Sequence, residues 1–158
     1  MIYDKIDTKL IKLGKTNKFS GEEEKSITSL YYEDESFEFS FKNKYVKITK
    51  IETNAYGKKF VTIKSKLYAD IVEKVAKELD AVSPILSDGS FRATINDATS
   101  FSKDVGEYSF YACVSLYFPS IYKDTEKTTL QVYLKEVVVT KIIKNNLEVE
   151  FDKLSLAI

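Results

Sequence analysis

The sequence predicts a mostly β domain of the α+β class, a small antiparallel β-barrel with one amphipathic helix inserted at about residues 67–82. Three observations predict it. Residues 107–143 hold two runs dense in Tyr, Val, Leu and Thr around a polar connection at 119–127, the pattern of a long β-hairpin with a loop too long for a tight turn. Residues 42–66 read as a second hairpin, turning at Asn54-Ala55-Tyr56-Gly57, where Gly57 can take a positive φ. Only 67–82 has sustained helical spacing: Ile71, Val72, Val75, Ala76 and Leu79 form an apolar stripe, and Pro84 prevents continuation.

The chain of 158 residues fits one domain with a core of its own, divided into an N-terminal extension (1–35), the barrel (36–143) and a C-terminal strand and tail (144–158). A hydrophobic content of 44% with 30% charged residues suits a globular protein. No apolar run approaches the ~20 residues of a membrane span, and MIYDKIDTKL mixes charges too early for a secretory signal. The lone Cys113 rules out an internal disulfide and suits a reducing, cytoplasmic compartment. Net charge is zero, so affinity for nucleic acid depends on how charge is distributed. Arg92 is the only arginine, which leaves bidentate reading of bases nearly out of reach.

In chain order, Ile2, Ile6, Leu10 and Leu13 recur near helical spacing before Gly14, predicting a short amphipathic helix over 1–14, although Ile6, Thr8 and Leu10 also alternate. Residues 15–21 form a polar break. Ser20 with Glu23 resembles a capping box opening a helix through Leu30. Phe37, Phe39 and Phe41 alternate with polar residues as a half-buried strand. In the 42–66 hairpin, setting Thr53 against Lys58 puts Val46, Ile48, Val61 and Ile63 on one face. The other face receives Tyr45, Lys47, Thr49, Thr62, Lys64 and Lys66, with Lys47 opposite Lys64 and Glu52 the only acid in the segment. Like charges across a strand pair are destabilising, and an anionic ligand would relieve them. Beyond the helix come a turn at Ser87-Asp88-Gly89-Ser90, a strand at 91–95, and a loop at 96–106. A turn at Asn145-Asn146, a strand at 147–151 and an apolar tail at 152–158 end the chain.

Alternation in the 107–143 hairpin puts Phe110, Ala112, Val114, Leu116 and Phe118 on a core face, with Leu130, Val132 and Leu134 on the return run. Tyr111, Cys113, Ser115 and Tyr117 take the other face, as do Thr129, Gln131, Tyr133 and Lys135. Symmetric closure pairs Leu116 with Leu130, Val114 with Val132, Ser115 with Gln131 and Tyr111 with Lys135.

A hairpin-rich β domain with an inserted helix, ending in Y-x-C-V-S-L-Y…T-T-L-Q-V-Y-L-K-E-V-V-V, resembles the OB-fold single-stranded DNA-binding proteins of bacteriophages and large DNA viruses. The likeness covers residues 36–143 and is one of element order and hydrophobic pattern. It implies a protein that coats single-stranded DNA in replication or recombination, with replication proteins as further partners. Many such proteins recruit those partners through an acidic tail, whereas this chain ends DKLSLAI.

The residues point the same way. Sequence-neutral binding of single strands needs cations for phosphates and rings for bases. Tyr45, Lys47, Lys64 and Lys66 supply these on the first hairpin, and Tyr111, Tyr117, Tyr133 and Lys135 on the second. Arg92, Tyr122 and Lys123 complete the expected site. Catalysis is not expected: there is no His, no Gly-rich phosphate loop and no basic partner for Cys113, and no cofactor or metal is implied. The minor enzymatic alternative is a carboxylate-only, two-metal nuclease using Asp97, Asp104, Glu107 or Asp124. The main alternative is a structural or interaction β-domain whose rings serve an interface.

Overall fold

A computed structural model describes residues 2–3, 5–19, 22–144 and 155–157. The N-terminal part comprises β1 (Ile2–Tyr3), a 3-10 turn (Thr8–Leu10), β2 (Ile11–Phe19), β3 (Glu22–Tyr32), β4 (Glu35–Ser36) and β5 (Glu38–Phe39). Next come β6 (Lys44–Ile48), β7 (Glu52–Thr53), β8 (Lys59–Ile63), the helix α1 (Lys66–Glu78), β9 (Phe91–Ile95) and β10 (Ser100–Phe101). The remainder is β11 (Ser109–Tyr117), β12 (Ser120–Lys123), β13 (Thr128–Leu130), β14 (Tyr133–Ile143) and β15 (Ser155–Leu156). The protein is therefore mostly β, with one α-helix among the described residues.

Two sheets organise it. In the larger, β11 and β14 form the central antiparallel pair, with Val114 opposite Val137 and Leu116 opposite Leu134. The far edge of β11 pairs with β6 at one end and β5 at the other. Beyond β14 lie β9 and β10, both parallel to it, and then β8 and β7, each antiparallel to its neighbour. The smaller sheet runs β13-β12-β3-β2, with β4 added to β3. One core joins them: Tyr32 of the smaller sheet stacks on Phe37 at 5.1 Å between centroids, and Phe37 meets Phe118 at 4.9 Å.

The helix buries Tyr68, Ala69, Val72, Val75 and Ala76 and is capped by Ser65, whose hydroxyl accepts from the Tyr68 amide. Tyr68 also mends the sheet. Between its ladders with β6 and β5, β11 turns the Val114 carbonyl toward the hydroxyls of Ser40 and Tyr68, which donate to it at 2.9 and 3.0 Å. The Tyr68 oxygen accepts from the Phe41 amide at 3.2 Å. Burial pushes the Tyr68 phenol up, so the hydroxyl keeps its proton and remains a donor. Tyr68→Phe removes both contacts and should cost about 1–3 kcal/mol in urea unfolding, because the part-buried Phe41 amide loses its acceptor and the Val114 carbonyl one of its two donors.

Several expectations are corrected. Among the described residues neither 1–14 nor 20–30 forms an α-helix; β2 runs through Gly14 and the expected break at 15–19, and β3 replaces the capping-box helix. The apolar spacing there fits either period, and long-range pairing of β3 with β12 decides it; Leu30 and Tyr32, two residues apart, are then buried on one face of the strand. The connection at 119–127 is not a loop. Ser120–Lys123 forms β12 against β3, and the chain returns as β13 before β14 begins. The long hairpin therefore closes later than symmetry implies. Leu116 meets Leu134 rather than Leu130, Val114 meets Val137 rather than Val132, Ser115 meets Glu136 rather than Gln131, and Tyr111 meets Lys141 rather than Lys135. Register shifts at Tyr111/Ala112 and Ser115/Leu116 add to the displacement. In the other hairpin Thr53 faces Lys59, not Lys58, and Gly57 does take φ +81°. The expected loop at 96–106 contains β10. The core faces nevertheless stand: Val46, Ile48, Val61, Ile63, Val114, Leu116, Val132 and Leu134 are all buried.

The turn joining β12 to β13 is held by Asp124, whose carboxylate accepts from the amides of Glu126 at 2.8 Å and Lys127 at 2.9 Å. The Lys127 and then the Glu126 amide lower its pKa, so the stabilisation is present above the ordinary aspartate value and is lost as pH falls through the depressed one. Asp124→Asn, which keeps an acceptor that does not titrate, should make the acid side of a melting-temperature profile shallower.

No ladder joins β6 to β8 among the described residues. Instead β15 lies parallel to the free edge of β6, with Leu156 beside Tyr45, and the Ala157 amide donates to the Tyr45 carbonyl at 2.7 Å. Of the expected apolar tail only 155–157 are described; Ala157 is buried in the common core, while Ser155 and Leu156 are exposed. The expected turn at 145–146 and strand at 147–151 lie outside the described residues. No described helix is long and apolar enough to cross a membrane.

Candidate nucleic-acid interface

Because Val46, Ile48, Val114, Leu116 and Leu134 point inward, the residues between them form the outer face of the larger sheet. At one end Lys47, Tyr111 and Lys141 lie side by side on β6, β11 and β14. The Lys47 ammonium sits 5.9 Å from the Tyr111 ring centre, and Tyr45 meets that ring edge-on at 5.5 Å. Tyr111 is only 8% exposed, contrary to its expected role as a presented ring, because these neighbours cover it. Ser115, also expected at the surface, is buried.

The opposite end is more open. Tyr117 and Tyr133 are direct cross-strand partners, both half-buried, and the Lys135 ammonium lies 5.6 Å from the Tyr117 ring centre. Burial raises the Tyr117 phenol first, followed by the charge of Glu38 and the neighbouring Tyr31, so its hydroxyl is protonated at neutral pH. Beyond Tyr133 come Thr94 on β9, then Phe60 opposite Thr94 and Thr62 opposite Arg92. The exposed Arg92 guanidinium stands 4.9 Å from the Phe60 ring centre. A cation held over a ring offers a phosphate and a base their partners at one place. Glu38, Glu52 and Glu136 share this face, so the local field is mixed in sign. Between the two ends Cys113 lies opposite Val138, and burial raises its thiol, keeping it in the unreactive form.

The remaining expected residues are elsewhere. Lys47 faces Tyr111, not Lys64, because β6 and β8 share no ladder; the supposed lysine repulsion therefore does not arise there. Lys64 and Lys66 line a cleft of about 570 Å³ at the start of α1 with Asp70, Glu73 and Asp88. Lys66 pairs with Asp70 at 3.6 Å, an exposed contact of little energetic consequence. The Ser90 hydroxyl and amide hold the Asp88 carboxyl low, with the Lys64 charge a smaller contribution. Tyr122 and Lys123 lie on the smaller sheet, where Tyr122 packs on Phe19 at 5.8 Å.

Sequence reasoning missed Phe60, Lys141 and Tyr31. Phe60 was findable, since it alternates with Thr62 on the polar face of its strand. Lys141 depends on the register shift, and Tyr31 on recognising β3.

No group of three or more His, Cys, Asp or Glu side chains suited to a metal ion occurs among the described residues. No solved structure matches the chain. A family model described as a family of unknown function (DUF5482) matches residues 1–158, and the protein belongs to that family.

Proposed function

We propose that the protein binds single-stranded DNA without sequence preference across the outer face of its larger sheet. The observation that carries this reading is the paired Tyr117 and Tyr133, with Lys135 over one ring and the Arg92–Phe60 pair on the next strands. Alternating rings and cations at strand spacing suit stacked bases joined by phosphates, and nearly all the cations are lysines, which hold phosphates without reading bases.

The strand arrangement supports the same reading. An OB-fold is a five-stranded, partly open barrel that binds oligonucleotides on the face of its second and third strands and in two of its connections. Taking β6, β8, β9, β11 and β14 as those five strands, the open seam lies between β6 and β8. The binding face then carries Phe60, Thr62, Arg92 and Thr94, and the β12–β13 hairpin with Tyr122 and Lys123 becomes the connection between the fourth and fifth strands. Coating of single strands in phage or viral replication or recombination, alongside replication proteins, is the role that the resemblance to the OB-fold single-stranded DNA-binding proteins adds to this reading. The residues act as a binding surface and not as a catalyst.

A mobility shift with a labelled oligodeoxythymidine and a duplex of equal length, at two salt concentrations, tests it. Expected are tighter binding of the single strand and a log–log salt slope of about −0.7 per phosphate contact. Equal affinity for duplex, or insensitivity to salt, would overturn it. One feature favours the alternative of an interaction domain: β2 is an edge strand of the smaller sheet, with Leu13 60% exposed. Under that alternative the single strand stays unbound at both salt concentrations.

A further inference from the structure

The outer face continues onto the smaller sheet. Tyr31 on β3 lies opposite Ser36 of β4, and Glu38, two residues on and so on the same face, lies opposite Tyr117 of β11. Tyr31 is 42% exposed, and its phenol is close enough to that of Tyr117 to help raise it. Its ring is also held in place. At Gly14 on the neighbouring strand β2, a Cβ would overlap Tyr31 Cε2 and would lie 3.1 Å from Cδ2 and 3.4 Å from Ser29 Cβ. Glycine inside a strand weakens it unless something approaches closely, and here the ring occupies the space a side chain would take. The absent side chain thus seats Tyr31 against β2 while leaving a large part of the ring in solvent. Directly across from Tyr31, Lys12 projects into solvent with its ammonium 2.9 Å from Asp34.

On the basis of the single-stranded DNA reading of the outer face, we propose that Tyr31 is a further stacking platform. It carries the strand from Tyr117 across Ser36 onto the smaller sheet, so that the bound segment spans both sheets, with Gly14 as the positioning residue beneath the ring. Leu13, on the opposite face of β2, takes no part.

The test compares oligodeoxythymidines of about 4 and about 16 nucleotides, the range of lengths a single such domain covers. Each is titrated with the full chain by fluorescence anisotropy, with melting temperatures recorded in parallel. Tyr31→Ala should weaken the longer probe by about 5- to 150-fold, the range expected for one lost stacked base, and leave the shorter one, seated on Tyr117 and Tyr133, unchanged. Tyr31→Phe should retain the affinity, since the ring and not the hydroxyl stacks. Gly14→Ala, which displaces the ring without removing it, should reproduce the length-dependent loss. Equal losses for both probes with a lowered melting temperature would overturn the platform and leave Tyr31 as scaffold. No loss for either probe while Tyr117→Ala weakens binding would overturn the platform alone. Failure of the unaltered protein to bind either probe would overturn the outer-face reading itself.

Discussion

Alanine at Tyr117 or at Tyr133 should weaken oligodeoxythymidine binding by about 1–3 kcal/mol each, the value of one stacked base. The two rings are direct cross-strand partners, so the double variant should lose more than either single one but less than their sum. The salt slope should stay nearly constant, because no phosphate contact is removed. Both side chains are half-buried, so some folding stability is lost as well, and urea unfolding must accompany the titration. A contrasting variant is Arg92→Ala, which should flatten the slope by about 0.7 while leaving discrimination among bases unchanged. Together these separate rings that stack from cations that neutralise.

The largest effect on folding is expected at Leu116. It is fully buried on the central strand, opposite Leu134 on one side and Phe39 on the other. Leu116→Ala should cost about 2–5 kcal/mol, the range for a leucine whose cavity cannot collapse between two paired strands. The same substitution also tests register. A double-mutant cycle should find coupling of about 0.5–3 kcal/mol between Leu116 and Leu134, and less between Leu116 and Leu130. Stronger coupling to Leu130 would restore the symmetric hairpin.

That register is the part of the fold the chain conceals. Period-two alternation is local, so the inward set from Val46 to Leu134 can be read directly and survives every change of partner. Which strand lies beside which is a non-local matter. Nothing near Pro119 reveals that Ser120–Lys123 pairs with β3, some ninety residues earlier, and the symmetric hairpin is the natural error. The helical reading of 20–30 fails for a related reason: Ser20 and Glu23 satisfy a local start signal, and tertiary pairing of Ile27, Thr28 and Ser29 overrides it. The helix at 66–78 is legible from its apolar stripe, but it ends at Glu78 and not at the expected 82, because the chain turns at Asp80, with φ +53°, before Pro84 is reached.

The candidate site was legible to the same degree. Tyr117, Tyr133 and Lys135 could be assigned to one polar face from alternation alone, whereas their contacts could not. Lys135 reaches Tyr117 and not Tyr111, and Lys47 covers Tyr111 instead of opposing Lys64. The first error comes from the misplaced register of β14, the second from pairing β6 with β8, which share no ladder. Tyr111 also shows that a position on the outer face does not ensure exposure, since bulky neighbours on the two flanking strands can bury a ring there.

Photocrosslinking of an oligonucleotide carrying 5-iododeoxyuridine, with the attached residues identified by mass spectrometry, tests the central claim most directly, because crosslinks form only where a base lies against a side chain. The outer-face account predicts crosslinks at Tyr117 and Tyr133 that diminish as salt is raised. Crosslinks confined to the Lys64–Lys66 cleft or to the β2 edge, with neither tyrosine labelled, would contradict it.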